Sequence, residues 1–330
     1  MKHHIVQEAY LRQWSKNGQL CLYSIPENKI MERGPNWKGF YRIDYNVLDG
    51  DTGYDYIPEK ITAHIDDEGL KAIKKIDIKN QTGLDGYDKS CLAFYFALQY
   101  LRVPRRRDEF NKLANVTFNE FFKENFKSSI ETDFDINKII EEEDNHKIRD
   151  HIKNQIKGKT EEQIKKEVID LIDNDGLILE INNVGQSKQM IKHIENISKQ
   201  LFYSKWTFLI SPKDTSFATS DNPCFVYSNK QMFNGILSLE TKSYFPLRPD
   251  LCLVIEPVSY KNNSEVFLKI SKEEVREINN LILENSYNCI LTRDRSHLEK
   301  LTSRYNYSNH KKTKEVKVYK NGEYTLFNLE

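Results

Sequence analysis

The run Cys91-Leu92-Ala93-Phe94-Tyr95-Phe96-Ala97-Leu98-Gln99-Tyr100-Leu101 decides the fold. It is apolar nearly all round, Asp88 stands before it as an N-cap, and Val103-Pro104 ends it, because the residue before a proline is pushed out of the helical region. A helix that is hydrophobic on every side is the buried centre of a domain. The rest of the chain is therefore read as layers around this one.

On its amino-terminal side, Pro58 opens a helix to about Ile76, with Ile61, Ile65, Leu70, Ile73 and Ile76 as its core stripe. On its carboxyl side follow Arg102, Arg105, Arg106 and Arg107, then a helix carrying Phe110, Leu113, Phe118, Phe121 and Phe122. A further helix over 187–203 returns to the core through Ile191, Ile194, Ile197 and Leu201. Between these, residues 128–186 change character. Charges of both signs alternate along a narrow Ile stripe and aromatics vanish after Phe134, which reads as a charged helical insertion, with Glu141-Glu142-Glu143-Asp144 as a solvated helix face.

The carboxyl third has strand patterns at Trp206–Ile210, Cys224–Tyr227, Lys242–Leu247, Leu251–Ile255 and Val266–Ile270. Ser271-Lys272-Glu273-Glu274 spells a capping box for a helix to about Glu284. Cys289–Thr292 resumes the sheet, and 316–319 with 323–326 form a hairpin across Lys320-Asn321-Gly322. Near the start, Gln19–Ile25 reads as a strand after the Asn17-Gly18 turn, with 28–31 returning beside it. Gly34–Asp55 reads as an ordered loop anchored by Trp37, Phe40, Tyr41 and Tyr45. The expectation is an α+β fold: a helical core around one buried helix, packed on a mixed or antiparallel sheet from the carboxyl third, in a single domain over 1–330 with the insertion inside it.

Composition narrows the partners. Lys+Arg and Asp+Glu both number 49, so no whole-protein field draws the chain to nucleic acid or an anionic membrane, and any such partner must be met by a local patch. The five cysteines are scattered with no CxxC pair, which suits small buried side chains in a reducing compartment rather than zinc. No run approaches the roughly 18 apolar residues of a membrane span, so the cytoplasm is expected and a membrane partner is not.

The amino-terminal stretch His3-His4-Ile5-Val6-Gln7-Glu8-Ala9-Tyr10-Leu11-Arg12-Gln13-Trp14 sets two imidazoles beside apolar residues at helical spacing, which predicts a docked terminus. Several stretches together resemble the bacterial family catalogued as domain of unknown function 4238. They are His3-His4 with Tyr10-Leu11-Arg12 and an aromatic at 14, Ile57-Pro58-Glu59, Leu101-Arg102-Val103-Pro104, Thr219-Ser220-Asp221-Asn222-Pro223 and Phe245-Pro246-Leu247-Arg248-Pro249. Members typically carry proline where this chain has Gln7 and glutamine where it has Glu8. The resemblance implies no activity, but it marks His3, His4, Arg102, Asp221 and Asn222 as residues of recurring patterns that meet in one site.

Each has a bland reading beside the chemical one. Imidazole titrates near neutrality and suits acid–base work, or it packs against backbone. Asp221-Asn222 before Pro223 presents a carboxylate and an amide to a ligand, or forms an Asx-turn. Arg105, Arg106 and Arg107 match phosphate, or simply offset a helix C-terminus and pair with Asp108 and Glu109. Arg102 differs: it continues a buried helix and needs an anion, either Asp221 or a substrate phosphate. His64, His146, His151, His193 and His297 share no pattern, and no Walker A, GxGxxG or EF-hand sequence occurs.

The leading expectation is a nuclease-like phosphodiester hydrolase in a defence or toxin setting. In it His3 or His4 is the acid–base group, Arg102 stabilises phosphate charge, Asp221 orients a histidine or holds a metal, Asn222 belongs to the same catalytic set, and Tyr10, Arg12 and Arg105 hold substrate. The carboxylates are too few to require Mg2+, which stays open as a cofactor. The alternative is a non-catalytic module that binds a nucleotide or, through 128–186, a protein.

Overall fold

The apolar run lies within a helix over Gly86–Arg102 in the computed structural model, which describes residues 1–51, 53–143, 146–174, 179–228, 235–259, 264–303, 305, 307, 310, 312–321 and 324–329. Asp85, not Asp88, caps that helix by accepting the Asp88 N–H at 2.7 Å. Asp88 is instead drawn sideways into an ion pair with Lys75 at 2.7 Å. The protein is α+β, and its chain divides into two compact units: Met1–Phe110 together with Ile181–Glu330, and Asn111–Glu180.

The larger unit begins with β1 (Lys2–His4), the single-turn α1 (Glu8–Leu11) running into a 3-10 turn that ends at Trp14, and the hairpin β2 (Leu20–Ser24) and β3 (Lys29–Arg33). Asn17 and Gly18 both take positive φ, 52° and 75°, as the predicted tight turn requires. Next come β4 (Tyr41–Ile43), which pairs back on β1 with His3 opposite Arg42, and the small hairpin β5 (Leu48–Gly50) and β6 (Gly53–Asp55). Two helices then pack on each other, α2 (Ile57–Lys75) and α3 (Gly86–Arg102). Their approach is so close at Gly69 that a Cβ there would stand 2.3 Å from the Cβ of Tyr95.

The buried face of α2 is Pro58, Thr62, Asp66, Gly69, Leu70, Ala72 and Ile73, so the predicted stripe is rotated in its first half and Ile61 is exposed. The reason is Asp66, whose carboxylate is drawn inward by Arg102. Val103 is extended and α4 (Pro104–Phe121) begins at once.

The smaller unit contains the rest of α4 and α5 (Lys123–Asp133), α6 (Ile136–Glu142), α7 (His146–Ile156) and α8 (Glu161–Asp173). Asp135 caps α6, and Thr160 with Gln163 forms a full capping box on α8. Lys127 on α5 pairs with Asp173 on α8 at 2.7 Å. Of the acidic run, Asp144 lies outside the described residues.

In the larger unit α9 (Asn183–Phe202) leads into β7 (Lys205–Ile210), β8 (Thr219–Ser220), β9 (Phe225–Ser228), β10 (Thr241–Arg248), β11 (Leu251–Glu256) and β12 (Glu265–Lys269). Five of these form one mixed sheet, ordered β12-β7-β11-β10-β9, with β12 parallel to β7 and the others antiparallel. After α10 (Lys272–Asn285), opened by the predicted capping box, β13 (Cys289–Thr292) does not resume that sheet. It enters a second one, ordered β3-β2-β13-β8, beside a strand from the start of the chain. A short helix, α11 (Arg295–Thr302), follows, and β14 (Val316–Asn321) pairs with β15 (Tyr324–Leu329); the predicted turn residue Gly322 lies outside the described residues.

The core forms where the amino terminus, α3 and the large sheet meet. Phe245 of β10 has the rings of Tyr10, Tyr95 and Phe96 at 5.5, 5.6 and 5.4 Å. Trp14 Nε1 donates to the Phe217 carbonyl at 3.0 Å, so the terminus is docked as expected.

Candidate functional site

Strand alternation turns His3 inward on β1 and leaves His4 half-buried on the opposite side. The turn after β4, with Asp44 at φ 48°, wraps the His3 ring. Its Nδ1 accepts two backbone N–H groups, from Tyr45 at 3.1 Å and Asn46 at 2.7 Å. An atom that accepts two hydrogen bonds carries no proton, so the ring hydrogen sits on Nε2. Burial, helped by the Met1 amine and Arg107 and opposed by Asp44, lowers the His3 pKa to about 4, and the imidazole is neutral at physiological pH. Burial also lowers His4, with Lys2 and Arg102 adding to it.

Around this ring stands a polar layer. Asn46 donates from Nδ2 to Glu59 Oε2 at 3.1 Å and accepts at Oδ1 from Arg107 Nη2 at 2.8 Å. Glu59 Oε2 is 3.8 Å from His3 Nδ1, and burial raises the Glu59 carboxyl against the pull of Asn46 and Arg102. Arg107 also donates to the Tyr45 carbonyl at 2.8 Å and lies 3.3 Å over the Tyr45 ring.

Arg102 finds its anion on α2. Its Nη1 donates to Asp66 Oδ2 at 2.8 Å, and Gln99 Nε2 donates to Asp66 Oδ1 at 3.4 Å. The expected partner Asp221 is engaged elsewhere. It is buried at the end of β8 and accepts the backbone N–H groups of Tyr287 at 2.9 Å, Asn288 at 2.8 Å and Cys289 at 3.4 Å, fixing the link from α10 to β13. Asn222 supports the same link by donating from Nδ2 to the Asn285 carbonyl at 2.7 Å. The arginine whose charge meets Asp221 is Arg105.

The arginine trio also departs from expectation. Arg105, Arg106 and Arg107 are not at a helix C-terminus; they occupy the first turn of α4, and Arg105 and Arg107 are buried. A helix N-terminus repels cations, so each is held otherwise. Arg105 and Arg106 share Glu109, at 3.1 and 2.5 Å, and keep its carboxyl below the usual range against its burial. Of the remaining candidates, Tyr10 is wholly buried with its hydroxyl 2.7 Å from both Thr219 Oγ1 and the Pro246 carbonyl, and Arg12 is exposed and pairs with Glu8 at 2.5 Å. Neither lies with the histidines as a free contact group.

What the fold does bring together is His3, His4 and Arg102, with Glu59, Asp66 and Asn46 added. His3 Nε2, His4 Nε2, and Arg102 Nε and Nη2 are buried without a hydrogen-bond partner among the described residues. Leaving such groups unmade in a dry interior is costly, which makes their grouping informative. The donor set suits an anion: a fixed neutral N–H and two guanidinium N–H sites. Among the described residues, no group of three or more His, Cys, Asp or Glu is placed to hold a metal ion, and no helix is long and apolar enough to cross a membrane.

Fold and cluster together define an α+β protein whose amino-terminal histidine pair is built into a donor-rich interior. The chain belongs to the family described as proteins of unknown function, DUF4238, whose model matches residues 2–296. No curated protein and no solved structure matches it significantly.

Proposed function

We propose that the protein acts on a phosphate-bearing substrate, a nucleic acid or nucleotide, as a nuclease-like phosphodiester hydrolase with its centre at His3, His4 and Arg102. The observation that carries this reading is the set of buried, unpartnered nitrogens on those three side chains. In this scheme His3 Nε2–H and the Arg102 guanidinium receive the phosphate oxygens, in a setting where such donors act more strongly than in water. His4, less buried and without the two amides that lock His3, is the proton-transfer group. Glu59, its carboxyl raised by burial, is the second group able to carry a proton there. Five free cysteines suit the reducing cytoplasm as the place of action, and a defence or toxin role is part of the same proposal.

The test is incubation with end-labelled RNA, single-stranded DNA and duplex DNA, with Mg2+ or with EDTA. His4→Ala is expected to lower turnover about 10²–10⁴-fold while binding persists, and the EDTA lane decides the metal.

One observation favours a second reading, a non-catalytic nucleotide-binding module: His3 is locked as a neutral donor and cannot act as a base. That reading expects a nucleotide to raise the melting temperature of the wild type with no cleavage in any lane.

A further inference from the structure

A different part of the larger unit carries a feature that the histidine cluster does not use. The loop after β7, the turn at Pro249-Asp250, one side of α10 from Lys272 to Glu284, and α11 line an open groove of about 1700 Å3. Eight Lys and Arg side chains line it against four carboxylates, in a chain where the two signs are equal at 49 each. Three of the eight are tied to carboxylates within reach. Lys79, Lys213, Lys269, Arg293 and Lys300 are exposed and make no ion pair among the described residues. Like charges gathered in a concavity repel one another, and the low-dielectric walls focus their potential on whatever anion enters.

The size and lining select the ligand. Small-molecule sites run to roughly 300–1,000 Å3, so this groove suits an extended chain. Lysine offers a mobile point charge that follows phosphates without reading bases. Between the cations lie Ile78, Ile210, Pro212, Leu301 and the ring of Tyr305, surfaces that sugars and bases can cover and that an acidic peptide backbone does not need.

His297 lies in the floor, yet its nitrogens face protein. Asn279 is fixed by accepting the Ala218 N–H at Oδ1, at 2.8 Å, and by donating from Nδ2 to the Ser216 carbonyl, at 2.9 Å. The same Nδ2 donates to His297 Nε2 at 3.3 Å, which places the ring hydrogen on Nδ1 and aims it at Ser216 Oγ, 3.4 Å away. Neither ring nitrogen is left to take a proton from a substrate. His297 therefore does not serve this groove as a base.

We propose that this groove is a sequence-independent binding surface for the phosphate backbone of nucleic acid, contacted by Lys79, Lys213, Lys269, Arg293 and Lys300. The proposal goes beyond the reaction assigned to His4, because the two sites share no residue. The experiment is fluorescence anisotropy of a short labelled duplex between about 50 and about 200 mM salt, run in EDTA on the wild type, on His4→Ala, and on the triple variant Lys213→Gln, Lys269→Gln, Lys300→Gln. Five phosphate contacts give a slope of log affinity against log salt of about −4.5, roughly a 500-fold weakening over that range. The triple variant should flatten the slope by about 2.7, and His4→Ala should leave it unchanged. The proposal is overturned by no binding at low salt, by an unchanged slope in the triple variant, or by displacement of the duplex by polyglutamate at matched charge. Loss of cleavage in His4→Ala with the slope intact separates the fate of this site from that of the hydrolase reading.

Discussion

Arg102 and Arg105 are three positions apart, yet they belong to buried polar clusters of opposite character. The cluster at Arg105, Glu109 and Asp221 is the more closed: Asp221 accepts three backbone N–H groups and Glu109 holds two guanidinium groups, leaving Arg106 Nε and Asn222 Oδ1 without a partner among the described residues. The cluster at His3, His4 and Arg102 is open, with four nitrogens unpartnered among the described residues. Closed clusters hold connections in place. An open one keeps hydrogen-bond capacity that the described residues do not meet. Letters at element ends do not separate the two cases; only an account of every donor and acceptor does.

The largest effect that tests this contrast is on stability. Both Arg102→Ala and Asp221→Ala are expected to cost on the order of 3–5 kcal/mol, the first by stranding buried Asp66 and the second by stranding three amides. The contrast sharpens with milder changes. Arg102→Lys keeps a cation for Asp66 but loses the spare guanidinium donors, so its urea midpoint should stay near that of the wild type while cleavage or ligand-induced stabilisation disappears. Asp221→Asn should retain the response but lower the midpoint, because its amide nitrogen cannot accept the Asn288 N–H that Asp221 Oδ2 accepts. A fully responsive Arg102→Lys would erase the distinction between the clusters.

A smaller effect comes from pH. Because burial holds His3 at about 4 in the fold, below its ordinary 6.5, the unfolded chain takes up that proton first as pH falls. The contribution of neutral His3 is therefore intact above 6.5 and lost progressively between 6.5 and about 4, amounting to about 3 kcal/mol. Urea midpoints across that window should fall in the wild type and fall much less in His3→Gln. The smallest effect belongs to Arg12→Ala. Its exposed pair with Glu8 should contribute less than about 1 kcal/mol, and thermal unfolding together with the cleavage assay should barely register it.

These differences explain how far the chain could be read in advance. The buried α3, the α10 capping box and the strands between Trp206 and Lys269 rest on local patterns, and they stand where those patterns put them, whereas β13 forms as a strand but joins a different sheet. Asp66 was hidden because a carboxylate in a helix ordinarily faces water; its signal was its position four after Thr62 and seven before Ile73, on the face that packs inward. The arginine trio was misplaced because Pro104 can close one helix or open the next, and here it opens one. Glu59 was visible only as part of Ile57-Pro58-Glu59, with nothing local to tie it to His3. The partners of His3 and Asp221 arrive from 42 and 66 residues away, at Tyr45 and Tyr287, and no periodicity reports such distances.

The pairing of β2 with β13 sets a schedule for the chain's birth. Cys21 meets Thr292 and Ser24 meets Cys289, so a strand made among the first residues waits for a partner made near the end. Tyr10 and Trp14 wait likewise for Thr219 and Phe217. Until translation passes residue 292, the amino-terminal hairpin has an unfilled edge and its apolar residues lack their cover, which is the state in which nascent chains associate wrongly. Closing so long a loop is slow, so the second sheet is completed only after the helices, whose contacts are local, have formed.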